Sequence, residues 1–108
     1  MTTLEKAIET YGETHQLVVA MEECAELIQA ISKVQRRWRG EECLIKDISN
    51  LKCLDNLSEE MADVYICFQQ LLMMFNNQDD VQMYIDQKIS RLARRLDEEK
   101  GIEPLRFR

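Results

Sequence analysis

The sequence predicts an all-α protein: an antiparallel four-helix-type bundle with long helices and a short helix at its N-terminus. Three observations predict it. The 108 residues include only three glycines and one proline, while Leu, Ile, Met, Ala, Glu, Gln, Lys and Arg are plentiful. That balance favours helices over sheets joined by tight hairpins. Apolar residues recur three and four apart over long stretches, the period of a helix with one buried face. From Val64 to Phe75 nearly every residue is apolar on all sides, which suits a helix in the middle of a bundle. The length suits a single domain, residues 1–108, with one modest core.

The first helix is expected over Thr2 to Tyr11, with Thr3 as cap and Leu4, Ala7 and Ile8 as its apolar face. Gly12 ends it. The second runs from Glu13 to Arg36 or Arg37. Leu17, Met21, Cys24, Ile28 and Ile31 form its stripe, widened by Ala20, Leu27 and Val34. Val19, Ala30 and Val34 interleave with Glu23 on another side. A helix apolar on two sides is buried on two sides, by a bundle or by a second subunit. Arg36, Arg37 and Arg39 suit a helix C-terminus, and Gly40 the position after it. Between Glu41 and Lys52, Leu44, Ile45, Ile48 and Leu51 would make a short helix. The third long helix begins between Asn50 and Asn56, with Asn56 or Ser58 as cap, and ends near Phe75. After an Asn-Asn-Gln-Asp-Asp turn capped by Asp79 or Asp80, the fourth runs from Asp80 to Lys100. Its stripe is Val81, Tyr84, Ile85, Ile89, Leu92 and Leu96. Gly101 and Pro104 stop it.

The formal charge of −6 argues against general nucleic-acid binding, which needs a basic face. Small phosphorylated ligands remain possible, because basic residues cluster locally. Cys24, Cys43, Cys53 and Cys67 form no C-x-x-C pair and only one histidine is present, so a zinc site is not expected. Cys24 and Cys67 read as small buried hydrophobes in helices. Reduced thiols and a polar N-terminus without a secretory leader point to the cytoplasm. The apolar run at Val64–Phe75 is too short to span a bilayer.

Two acidic stretches carry the chemistry: Glu22-Glu23-Cys24-Ala25-Glu26 and Glu59-Glu60-Met61-Ala62-Asp63. Each reads E-E-x-x-acid, so a helix turns two or three carboxylates the same way. Side by side, the stretches would gather at least four. Such a cluster repels itself unless cations neutralise it, and an all-oxygen set suits magnesium or manganese. Alone, the first stretch also reads as a solvated face, because Glu22, Glu23 and Glu26 lie roughly opposite the Met21 stripe. The second does not. Glu60 projects into the apolar sector between Cys67 and Leu71, and Asp63 falls beside Met74, where an uncompensated carboxylate is costly. The Glu-x-x-His pairs of di-iron bundles are missing.

Other candidates surround these stretches. Lys88, Arg91, Arg94 and Arg95 give the fourth helix a basic face, either solvated and ion-paired or, with Lys88 and Arg91, spaced to hold phosphate oxygens. Trp38 either packs beneath a loop or offers a stacking plane to a base. His15 and Gln16 precede the first acidic stretch by two turns, within reach of a ligand there.

The two motifs, with Met21 to Leu27 around the first and Leu57 to Val64 around the second, resemble those of the MazG-type nucleoside triphosphate pyrophosphohydrolases. These belong to the all-alpha NTP pyrophosphatase superfamily, with dimeric dUTPases and phosphoribosyl-ATP pyrophosphatases. The resemblance covers Gln16 to Leu96. It departs in the long connection between Glu26 and Glu59, which leaves Arg36 to Lys52 without a counterpart. It implies that Glu23, Glu26, Glu60 and Asp63 bind magnesium. Glu22 and Glu59 would be further ligands or the base, with Glu22 favoured over Glu59, and Lys88 and Arg91 would stabilise phosphate charge, with Arg95 one turn further along the same helix. It implies water attack at the α-phosphorus of an NTP or dNTP, giving a monophosphate and pyrophosphate. It also implies a homodimer or homotetramer. The competing readings are a non-catalytic bundle that binds a partner or nucleotide, and a phosphoribosyl-ATP pyrophosphatase or dUTPase within the same superfamily.

Overall fold

The computed structural model describes residues 1–37 and 48–99. All secondary structure among them is helical: α1 (Thr3–Tyr11), α2 (Glu13–Arg37), α3 (Ile48–Phe75) and α4 (Gln78–Glu99). None is long and apolar enough to cross a membrane. The chain divides into two compact units, Met1–Phe75 and Asn76–Arg108. The first holds α1, α2 and α3; the second holds α4.

Thr2, one residue before the predicted Thr3, caps α1. The reason is the glutamate three residues on. The Thr2 hydroxyl accepts the Glu5 amide at 3.2 Å, and the Glu5 carboxylate accepts the Thr2 amide at 3.2 Å. This reciprocal box satisfies two amides that a helix start leaves without partners. Bonds from the Thr2 backbone and then its hydroxyl hold the Glu5 carboxyl below its ordinary range. Gly12 breaks the helix with φ at +93° and ψ at 151°, a region open to glycine almost alone. Its amide still donates to the Ile8 carbonyl at 2.8 Å, and its carbonyl accepts the Gln16 amide at 3.1 Å. One residue therefore ends α1 and starts α2.

α2 keeps its predicted bounds, with Arg36 and Arg37 in its last turn. α3 begins at Ile48, earlier than predicted. Asn56 and Ser58 are therefore interior rather than caps. Ser58 turns its hydroxyl back onto the Leu54 carbonyl at 3.0 Å, which lets a serine sit inside a helix. Ile48 and Leu51, read as part of a separate short helix, belong to its first turn. Leu44, Ile45, Trp38, Arg39 and Gly40 lie outside the described residues. α4 starts at Gln78, so Asp79 and Asp80 fall in its first turn rather than at the cap, still favourably placed against the helix dipole. Asn76, at φ +49°, makes the turn before it. Gly101 and Pro104 lie outside the described residues.

α2 and α3 pack antiparallel. Gln16 hydrogen-bonds Gln70, Glu23 is near Asp63 and Glu26 is near Glu60, so each step up one helix is an equal step down the other. The facing seams repeat four and three apart. In α2 the seam is Gln16, Ala20, Glu23, Leu27, Ala30 and Val34. In α3 it is Cys53, Leu57, Glu60, Val64, Cys67, Leu71 and Met74. Every one of these is buried or half-buried. This corrects the sequence reading of α2. The predicted stripe lies one position further on, and its Met21, Cys24, Ile28 and Ile31 are exposed. Cys67 is buried as expected; Cys24 is not.

The core is small-grained. Among the described residues the fully buried apolar side chains are Ala20, Ala30, Cys53 and Cys67. Small residues let two helices approach closely. Gln16 and Gln70 are buried with them. The Gln16 amide donates to the Gln70 carbonyl oxygen at 3.1 Å, and the Gln70 amide donates to the Leu4 carbonyl at 3.4 Å. This chain ties α1, α2 and α3 together at one end of the first unit.

Candidate metal centre

Each seam carries one glutamate among its apolar and small residues: Glu23 on α2 and Glu60 on α3. Their neighbours Glu22, Glu26, Glu59 and Asp63 each precede a seam position by one. In an antiparallel pair, the residues that precede the seam on both helices flank the same side. The two acidic stretches therefore share one side of the helix pair.

Glu23, Glu26 and Glu60 can each bring one carboxylate oxygen within 4.8 Å of the other two. Glu26 is exposed, whereas Glu23 and Glu60 are half-buried. One oxygen on each of these, Oε2, is closed off from solvent and has no hydrogen-bond partner. Burial, then the charges of Glu26 and Asp63, push the Glu23 carboxyl up to about 7, with a Glu26 hydrogen bond and the Glu60 charge adding to it. Burial, again followed by Glu26 and Asp63, raises Glu60 as well. Charge is thus disfavoured at the two seam glutamates, by desolvation and by like neighbours. A cation would reverse both effects. The donors are all hard oxygens, and two of them are buried without a partner. That set fits magnesium or manganese and does not fit a thiolate-seeking metal.

Comparison with protein-family models, with curated proteins and with solved structures gives no match. The functional reading therefore stands on the motifs and on this geometry.

Of the four residues expected to bind metal, three form the mutually adjacent group. Asp63, one turn along α3 from Glu60, is close enough to raise both seam glutamates. Glu22 and Glu59 are exposed beside them. His15 is exposed, with its ring tilted 44° against Tyr11 at 5.6 Å between centroids. Gln16 is not presented to a ligand in this structure; its amide is engaged with Gln70. Lys88, Arg91 and Arg95 lie on α4 in the second unit, where Arg91 and Arg94 line a shallow groove with Asp86, Gln87 and Ser90. Trp38 lies outside the described residues. Cys67, which the helical projection of the sequence places beside Glu60, borders this site. Its thiol is raised by burial first and then by Glu23, with Cys24 and Asp63 following.

Proposed function

We propose that the chain is a magnesium-dependent nucleotide pyrophosphohydrolase of the MazG type, converting an NTP or dNTP and water to the monophosphate and pyrophosphate. One observation carries this reading: two buried carboxylate oxygens on facing helices, without hydrogen-bond partners, beside a third carboxylate. A bundle that used these acids only as a solvated or arginine-paired face would have no reason to leave those oxygens unpartnered.

Glu23, Glu26, Glu60 and Asp63 would hold the metal. When bound, magnesium would neutralise phosphate charge and lower the pKa of a coordinated water. Glu22, exposed on the same side, would take the proton from the attacking water. The α2/α3 seam fixes the backbone positions of Glu23 and Glu60, so the carboxylates are pre-positioned and need little rearrangement on binding. Lys88 and Arg91 are assigned to the phosphate chain by the family resemblance, and Arg95 belongs to the same basic face of α4. The same resemblance implies an assembly of two or four copies, and with the free thiols it implies a cytoplasmic enzyme.

The test is a product-resolved screen of the common nucleotides with magnesium. Monophosphate and pyrophosphate are expected in equal amounts. Orthophosphate alone, or no product from any nucleotide, would overturn the reading. A response confined to dUTP or to phosphoribosyl-ATP would place the chain with those branches of the superfamily instead. Glu60→Ala should abolish turnover with the helical content intact.

A further inference from the structure

The acidic side of the α2/α3 pair is graded along its length. It is lined by the residues that precede each seam position. The register that sets Gln16 beside Gln70 and Glu26 near Glu60 arranges them in rungs. Glu22 and Asp63 form one rung, and Glu26 and Glu59 the next. One turn further along, Gln29 faces Asn56. One turn beyond that, Lys33 faces Lys52, and both lysines are exposed. In the other direction the rung beside Glu22 is apolar, Val19 with Ile66. Beyond it α1 is tied in by the Gln70 amide on the Leu4 carbonyl. Carboxylate, amide and ammonium therefore follow in order toward one end of the strip only.

We infer that Lys33 and Lys52 hold the β- and γ-phosphates of the nucleotide, the part that leaves as pyrophosphate; this rests on the pyrophosphohydrolase reading of the acids. The reach is right. Lys33 stands seven residues after Glu26, and Lys52 seven before Glu59, roughly 10 Å along each helix axis. A helical side chain leans toward the N-terminus of its own helix, so the Lys33 stem runs back over Gln29 toward the acids. The charge is right as well. The residues one turn from Lys33 on α2 are Gln29, Ala30, Arg36 and Arg37, so no carboxylate on its own helix competes for the ammonium. Two facing ammonium groups repel, and a polyanion between them removes that cost. The order of the rungs also suits an in-line displacement. The water oxygen bonds to the α-phosphorus while the bond from that phosphorus to the α,β-bridging oxygen breaks. The electron pair leaves with pyrophosphate, and the water proton passes to Glu22. Attacking and leaving oxygens stand on opposite sides of the phosphorus. Glu22 lies on the acidic rung away from the lysines, and Glu59 on the rung toward them. A leaving group at Lys33 therefore selects Glu22 as the base, and the charge that develops on the leaving oxygen meets an ammonium.

The test is calorimetric titration of the full chain with inorganic pyrophosphate at saturating magnesium, alongside nucleotide turnover. Wild type should bind pyrophosphate, and more weakly as salt rises. Lys33→Met should weaken that binding roughly tenfold and lower kcat roughly a hundredfold, with magnesium affinity and helical content unchanged. Lys52→Met should act in the same direction, and Lys33→Arg should recover part of both losses. Lys6→Met, an exposed lysine of α1, should change neither. An active enzyme whose Lys33→Met variant keeps wild-type pyrophosphate affinity and kcat would overturn the inference and leave the pyrophosphohydrolase reading in place. If no nucleotide is turned over, that reading falls by itself, and the titration still decides on the lysines. Pyrophosphate bound in a Lys33-dependent way would uphold the anion site, and pyrophosphate left unbound would overturn it.

Discussion

Replacing Glu23 with glutamine should make the metal-free protein more stable and the metal-loaded protein relatively less so. Glu23 meets two carboxylates within 4.8 Å. At that separation each like charge costs about 0.9 kcal/mol in water-like screening. The two together cost about 2 kcal/mol, and halving this for solvent exposure leaves about 1 kcal/mol. In a domain of this length, that raises the unfolding temperature by roughly 5 °C. Glutamine keeps the shape and adds a donor that Glu26 can accept. The measurement is thermal unfolding by circular dichroism at pH 8 and fixed protein concentration, with chelator and then with magnesium. Wild type should gain stability with magnesium, by about 2.7 kcal/mol at a hundredfold excess over the dissociation constant. The variant should gain much less. A lower unfolding temperature for Glu23→Gln in chelator would refute the repulsion. An equal magnesium gain in both proteins would refute the site.

The pH dependence follows from the same residue. Its carboxyl stands at about 7 in the fold against an ordinary 4.5, so the folded state holds the proton more tightly. The resulting stability is fully present below pH 4.5 and is lost as pH rises through about 7. Unfolding in chelator should therefore grow easier between those values in wild type, and Glu23→Gln should flatten the profile. With magnesium the trend should reverse, because the ligands must be deprotonated. Gln70→Leu strands the Gln16 amide, removes the second hydrogen bond to the Leu4 carbonyl and should cost about 1–2 kcal/mol, with faster proteolysis around Gly12. The Gln16→Leu/Gln70→Leu pair should recover part of that loss. Gly12→Ala meets no atom within 4 Å but must adopt φ +93°, and a loss of about 1–3 kcal/mol in urea unfolding is expected from strain alone.

The helices were largely legible in the sequence, and so was the anomaly at Glu60. An acidic residue inside an apolar sector is conspicuous whichever neighbour covers it. The face of α2 was harder to read. Two stripes with the same four-three spacing run side by side on it. Ranking by hydrophobicity selects Met21, Ile28 and Ile31, whereas the helices meet through Ala20 and Ala30. Close approach selects small side chains, and hydrophobicity does not measure that. For the same reason Glu23 read as solvated although it stands in the seam. Gln16 and Gln70 were unreadable as a pair, since nothing local shows that residues 54 positions apart will meet. Thr2 rather than Thr3 was available from its spacing to Glu5. The early start of α3 was hidden by Asn56 and Ser58, whose preference for caps yields when a serine can bond back to its own helix.

The alanines and cysteines between α2 and α3 carry no charge, yet they set the gauge of the acidic cluster. Helix separation follows the bulk of the side chains between the axes, so the width of Ala20 and Ala30 fixes how far Glu23 and Glu26 stand from Glu60. Ala30→Leu would widen that gauge without altering a single carboxylate, favouring a larger ion such as calcium over magnesium. The spacing of the acidic cluster is thus encoded in residues that a search for polar or charged positions would discard.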